Sequence, residues 1–347
     1  MTNSIKTTST ENRVTPENPA FTPDKRHQHT LRQRLLSKSA RLLISVLGKM
    51  PFSWLHALGA FFGTLLFILR TPSRHTTETN FALAFPDWPP ERRQRLARES
   101  LIHDCRLSFE LAYLWTRPAT DGQALIRAIR GEAKLDQALA DQRGLLLILP
   151  HLGNWELTNH YLMAKTPLTA LYKPLDLPDV EAKVRAARSL GETHMVPTTQ
   201  AGVKELMRTL KSGGVSVILP DQSPPAGNGQ FSPFYGVPTY TSPLLPKLIK
   251  KTQAHCLCIF TERLPNAAGF IIHIESVDER LFATDAITAL RGLNASIEQC
   301  ISPRLTQYLW GYKRFKQRPE SHTNPYDDPE FPPIARQHDT QLDHLDE

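Results

Sequence analysis

The sequence predicts an α/β fold: a central, mostly parallel sheet flanked by helices, preceded by a hydrophobic membrane-anchoring helix. Three observations predict it. Short apolar runs recur at 145–149, 168–172, 215–219, 254–261 and 269–275. Helical patterns lie between several of them, at 151–164, at 179–190 and from Val203 to the paired stop Gly213–Gly214. Strands separated by helices are the signature of a largely parallel sheet. An uncharged run of helix length, Phe52 to Leu69, stands ahead of them.

Taken in order, residues 1–30 are polar, rich in Thr, Asn and Pro, and lack an apolar core. They read as a disordered lead-in rather than a signal peptide. Between Lys25 and Lys49 there are seven basic residues and no acid. Leu35, Leu36, Leu42, Leu43 and Val46 can share one helix face, with Arg34, Lys38 and Arg41 towards the other. That is the composition of an interfacial amphipathic helix. The run FSWLHALGAFFGTLLFIL follows Pro51, has no formal charge and ends at Arg70. It is near the lower length for a membrane span, so it reads either as a spanning or inserted anchor or as a core helix. Residues 31–70 are therefore predicted to be the membrane-contacting part, and 71–320 the catalytic domain. Within the latter, 91–116 and 121–142 read as helical and 285–310 as a long terminal helix. From 321 to 347 the chain is Pro- and Asp-rich and reads as a flexible tail.

The 347 residues carry a formal net charge of +7. Such a balance favours an anionic partner, whether membrane, nucleic acid or acidic substrate. Cys105, Cys256, Cys258 and Cys300 lack the paired spacing of a structural zinc site and read as free thiols. AGNGQ, Ala226 to Gln230, lacks the ending of a phosphate-binding P-loop and reads as a lid or turn. YLWGYKRFKQRP, Tyr308 to Pro319, mixes bases with aromatics. That mixture suits a membrane headgroup layer or single-stranded nucleic acid.

The most informative stretch is LLLILPHLGNWEL, Leu145 to Leu157. A buried strand ends at Pro150, His151 follows, and Glu156 comes five residues later. On one regular helix two such residues would sit about 140° apart and could not touch. With His151 in the strand-to-helix turn and Glu156 at the helix start, the carboxylate can fold back onto the imidazole. Gly153 eases the turn and Asn154 is a favourable helix-start residue. A carboxylate on one ring nitrogen would leave the other as a general base. A structural histidine beside a solvated first-turn acid would fit the same spacing.

HLGNWE has the His-x₄-Asp/Glu form of the glycerolipid and lysophospholipid acyltransferases. The chain from about 40 to 320 resembles the late (lauroyl/myristoyl) acyltransferases of lipid A biosynthesis. Further blocks carry that resemblance: NFALAFPDWPPERR, YKPLDLPDVEAKVRAARSLG, ILPDQSPPAGNGQFSPFYGVPTYTS and QYLWGYKRFKQRPE. The resemblance implies catalysis by His151, oriented by Glu156, with direct acyl transfer from an acyl-carrier-protein thioester to a hydroxyl of a lipid A precursor. It implies Arg188 at a phosphate or oxyanion, and Asp221 and Gln222 at acceptor hydroxyls or phosphate. Asn154 and Tyr172 would line the pocket. It requires no cofactor and no metal, and it places the domain on the cytoplasmic face of a bacterial inner membrane. A lysophospholipid or aminolipid acceptor would use the same chemistry. A non-enzymatic module docking on anionic membrane or nucleic acid would explain the charge but not the ordered motifs; the expectation is an enzyme that binds no nucleic acid.

Overall fold

The computed structural model describes residues 30–188, 192–319 and 323–328. The predicted lead-in, apart from Thr30, and the last part of the predicted tail lie outside the described residues. Four helices come first: α1 (Leu31–Leu47), α2 (Phe52–Ile68), α3 (Pro72–Ala84) and α4 (Pro90–Leu114). Thr30 starts α1 with a capping box, its hydroxyl accepting from the Gln33 amide while the Gln33 side chain accepts from the Thr30 amide. After α5 (Ala119–Gln123) the chain alternates: β1 (Ile126–Arg130), α6 (Glu132–Ala140), β2 (Leu145–Ile148), α7 (Trp155–Lys165) and β3 (Leu168–Tyr172). It continues through α8 (Pro178–Arg188), β4 (Thr193–Pro197), α9 (Gln200–Lys211) and β5 (Val215–Ile218). A hairpin, β6 (Gln230–Phe234) and β7 (Val237–Thr241), leads to α10 (Leu244–Thr252), β8 (His255–Arg263), β9 (Phe270–Ser276) and α11 (Ala286–Ile301).

Seven strands form one sheet in the order β1-β9-β8-β2-β5-β3-β4. The five from β8 to β4 are mutually parallel, while β9 runs antiparallel to β8 and β1 parallel to β9. The predicted mostly parallel sheet between helices is therefore present. Its central strands β2 and β5 are buried at every position because helices cover both faces. Leu146 and Ile148 of β2 enter one core, with Phe234, Leu245 and Trp310; Leu145, Leu147 and Leu149 enter the other, with Leu162 and Val217.

Several expectations need correction. The predicted helix 121–142 is broken by β1, whose sequence IRAIR has half-exposed and exposed positions typical of an edge strand. β4 and the β6–β7 hairpin gave no apolar run to find. The predicted terminal helix ends at Ile301 and gives way to 3₁₀ turns. Much of the aromatic-basic block that follows is core rather than a membrane surface. Tyr308, Trp310 and Phe315 are buried with their rings in the space between α3, α11 and the hairpin, and Arg314 is buried beside them, while Lys313 and Lys316 stay exposed. Part of the predicted tail is also packed. Tyr326 is buried, its hydroxyl donating to Asn80 Oδ1 and accepting from the Phe315 amide.

The helix at 52–68 is present, but among the described residues no single helix is long and apolar enough to cross a membrane. At 17 residues α2 spans only about 26 Å, short of the ~30 Å hydrocarbon layer. One face of it is also occupied. Leu55, His56, Gly59 and Gly63 are buried against α4, and the glycines let the helix backbones approach. A Cβ at Gly63 would sit 2.4 Å from Ile102 Cα. The opposite face leaves Trp54, Phe61 and Ile68 exposed, and α1 likewise exposes Leu35, Leu36, Leu42, Leu43 and Val46.

Candidate active site

β2 and β5 are adjacent and parallel, with Ile148 opposite Ile218. Three residues beyond each, at the carboxyl edge of the sheet, come His151 and Asp221. In-register strands of equal reach therefore deliver the two side chains to the same place. Asp221 is almost wholly buried and accepts twice from His151: from the backbone amide at 2.8 Å and from ring Nδ1 at 2.8 Å. Burial opposes ionisation of Asp221, but the charge it shares with His151 and these two hydrogen bonds outweigh it and hold the carboxyl below its ordinary value. The buried Arg314 adds a cation behind it, itself donating to Tyr240 O, Ser223 Oγ and Thr241 Oγ1. Burial raises the Tyr308 hydroxyl, and the Asp221 charge adds to the effect.

With Nδ1–H given to Asp221, Nε2 of His151 keeps its lone pair. It faces Gln222, whose Nε2 lies 3.2 Å away and can donate to it. Trp155 stands edge-on to the imidazole, ring centroids 4.8 Å apart. These groups open onto a cavity of about 500 Å³ lined mainly by apolar side chains. It reaches both faces of the sheet. Leu162, Leu168, Ala170 and Val217 line it on the α7 side, and Leu171, Val203, Ile218 and Leu245 on the other.

Glu156 does not fold back onto His151, and no hydrogen bond joins them among the described residues. It lies in the first turn of α7, buried, and its carboxylate is gripped by Arg188 of α8: Nε to Oε1 at 2.9 Å, Nε to Oε2 at 3.1 Å, Nη2 to Oε2 at 2.7 Å. The two-pronged pairing suits guanidinium and carboxylate. It raises the Arg188 pKa despite burial. In this structure the carboxylate on the imidazole is Asp221, brought there by sheet register, and Glu156, expected at that position, meets Arg188 instead.

The other sequence-derived residues divide. Arg188, Gln222 and Tyr172 line the cavity. The Tyr172 hydroxyl donates to Glu181, and its ring lies 5.4 Å from the Arg188 guanidinium. Asp221 is turned onto His151 rather than towards a ligand. Asn154 does not line the cavity; its Oδ1 caps α7 by accepting from the Leu157 amide, and its Nδ2 donates to Glu110. Sequence reasoning missed Trp155, although it lies inside the motif, and the support from Tyr308 and Arg314, whose block suggested a surface.

An imidazole with one nitrogen on a buried carboxylate and the other facing an apolar cavity has the geometry to take a proton from a hydroxyl. Comparison with known proteins names the chemistry. Residues 25–317 match the bacterial lipid A biosynthesis acyltransferases, and the chain belongs to that family. It is 23% identical to the lipid A biosynthesis lauroyltransferase of Escherichia coli, over 80% of this chain and 90% of that protein. Similarity extends at 24% to the palmitoleoyltransferase of Escherichia coli, over 80% and 90% of the two chains. A lipid A biosynthesis acyltransferase of Haemophilus influenzae is 24% identical over 68% of this chain and 74% of its own. The chain is thus an acyltransferase.

Proposed function

We propose that the protein transfers a fatty acyl group from an acyl-carrier-protein thioester to a hydroxyl of a lipid A precursor, at the cytoplasmic face of the bacterial inner membrane. The observation that carries this reading is the His151–Asp221 pair with Nε2 open to the apolar cavity. The acceptor hydroxyl displaces Gln222 from Nε2 and gives its proton to His151. Its oxygen attacks the thioester carbonyl, and the tetrahedral intermediate collapses by breaking the carbon–sulfur bond. The departing thiolate takes the proton back from His151. Asp221 balances the imidazolium between these steps. Arg188, held by Glu156, presents fixed donors to the carbonyl oxygen or an acceptor phosphate. Glu156 thus acts through Arg188 rather than through His151.

The cavity on the α7 side suits the donor tail. From Tyr172 to Leu168 it follows β3 for four residues, about 13 Å. An extended alkyl chain advances about 1.3 Å per carbon, given bonds of about 1.5 Å, so this branch takes about ten carbons beyond the carbonyl region. The test is transfer from a panel of acyl-carrier-protein thioesters to a lipid A precursor and to a lysophospholipid. Wild type, His151→Ala and Ala170→Phe are compared. Wild type should prefer donors near twelve carbons and the lipid A precursor, and His151→Ala should be inactive. Ala170→Phe should move the preference to shorter donors, losing about fourfold for each methylene it displaces at ~0.8 kcal/mol. Transfer to the lysophospholipid alone would keep the chemistry and reject the acceptor.

The exposed apolar faces of α1 and α2, with Arg32, Arg34, Lys38 and Arg41 beside them, support a monotopic seat on anionic lipid rather than a span. α1 packs on α8, where the Asp179 amide donates to the buried Ser37 hydroxyl. The helix bearing Arg188 is thereby tied to that seat. Leu35→Gln with Leu42→Gln should release the protein from anionic vesicles in flotation without altering its far-UV spectrum. Full retention of the double variant would reject this seat.

A further inference from the structure

We propose that His56 and Glu110 are positioning residues for acyl transfer, tying the seating of α2 to the turn that carries His151. Glu110 of α4 is completely buried, and its carboxylate meets three side chains. Arg263, at the end of β8, donates from Nη2 to Oε2 at 2.6 Å and from Nε to Oε1 at 2.5 Å. Asn154 donates from Nδ2 to Oε2 at 3.0 Å. His56 of α2 brings Nε2 to 2.7 Å from Oε1. Arg263 also reaches the Gly153 carbonyl at 3.3 Å. Two of the three residues between His151 and α7 therefore hang on this cluster. None of His56, Glu110 and Arg263 lines the cavity.

The cluster is built to stay charged. Burial opposes the Glu110 carboxylate, yet Arg263 and its hydrogen bonds, with His56, hold it down at about 2. Beside it, burial and Arg263 push His103 down to about 3. A neutral His103 can then accept from Arg263 Nη1, 3.0 Å from its Nδ1. The outermost member, His56, is on the buried face of the helix whose other face exposes Trp54, Phe61 and Ile68. A shift of α2 on α4 therefore pulls on Glu110, then on Asn154 and Gly153, and so on the imidazole. Displacements of about 1 Å remote from the chemistry can cost about a hundredfold in rate.

The inference rests on the catalytic and membrane readings above. It is tested on the full chain with the same donor and lipid A precursor, in anionic phosphatidylglycerol vesicles and in detergent micelles. His56→Ala leaves Arg263 and Asn154 on Glu110, so the fold is retained. It should lower kcat about tenfold with both KM values unchanged, and His56→Gln, which keeps a donor, should restore most of it. Glu110→Gln should lower kcat further. Leu135→Ala, a core truncation under α6, provides a comparison: it should lower Tm at least as much as His56→Ala while leaving kcat near wild type. Wild type should turn over faster in vesicles than in micelles, and His56→Ala should not. The inference is overturned if kcat follows Tm alike in His56→Ala and Leu135→Ala, if the loss falls on KM, or if wild type is equally fast in both lipid environments. His151→Ala run alongside separates the failures: activity in that variant rejects the catalytic reading itself, whereas an inactive His151→Ala beside a wild-type-like His56→Ala rejects only the positioning role.

Discussion

Asp221→Asn should lower kcat by about two to four orders of magnitude, the range of a positioned acid–base group. KM for the donor should be little changed. Asparagine fills the same space but offers an amide where His151 needs a full negative charge. An oxygen facing Nδ1 preserves the tautomer but not the stabilisation of the imidazolium; a nitrogen there inverts the tautomer. In the first case Nε2 is a weakened base, and in the second it carries the proton and is no base at all. The Asp221 carboxyl is held below its ordinary value, so its contribution is complete at neutral and mildly acid pH. It disappears only as pH falls through that lowered value. Glu156→Gln gives the contrast. It leaves the His151–Asp221 bond intact and loosens Arg188, so donor or acceptor KM should rise as well as kcat fall. Steady-state kinetics of the two variants decides the assignment. A Glu156→Gln enzyme with the Asp221→Asn profile, beside an Asp221→Asn enzyme near wild type, would return the orienting role to Glu156.

Gly153→Ala should be the most damaging single-methyl addition. Gly153 has φ +63°, a left-handed conformation that side chains disfavour, and an added Cβ would lie 1.7 Å from Thr261 O. That oxygen cannot move away cheaply, because it accepts from the Asn154 amide at 3.1 Å and belongs to a strand paired on both sides. Gly153 also donates to Gln307 O at 2.9 Å. The turn must therefore rise off β8, carrying His151 with it. We expect a loss of about a hundredfold or more in kcat and a lower Tm. Activity assays and thermal unfolding check both; wild-type kcat would mean that the turn has more freedom than its contacts allow.

The turn at 151–156 was largely legible before any coordinates. Its residues are local: strand, proline, histidine, glycine for the bend and asparagine for the cap, all within one decapeptide. The neighbours of that turn were not legible. Glu110, Arg263, Tyr308 and Arg314 come from elements 40 or more positions away from it, and single charges or rings at such distances carry no periodicity. Edge strand β1 and strand β4 were missed for a related reason. Half-exposed strands with mixed side chains resemble loops or helices until a partner strand defines them. The aromatic-basic block at 308–319 was misjudged because composition does not say which way side chains point.

By itself, the sequence determined the alternating α/β pattern, the apolar central strands, the amphipathic helix and the uncharged helix that lead the chain, and the histidine at a strand's carboxyl end. All of these follow from short-range periodicity and turn chemistry. Only the tertiary structure decided which carboxylate meets His151. His-x₄-Glu is a spacing along the chain, but the pairing is set across the sheet. The register of β2 with β5 carries Asp221 to Nδ1, while the first turn of α7 commits Glu156 to Arg188. Hydrogen bonds between adjacent strands fix which residues stand side by side, and no count of intervening residues can stand in for them.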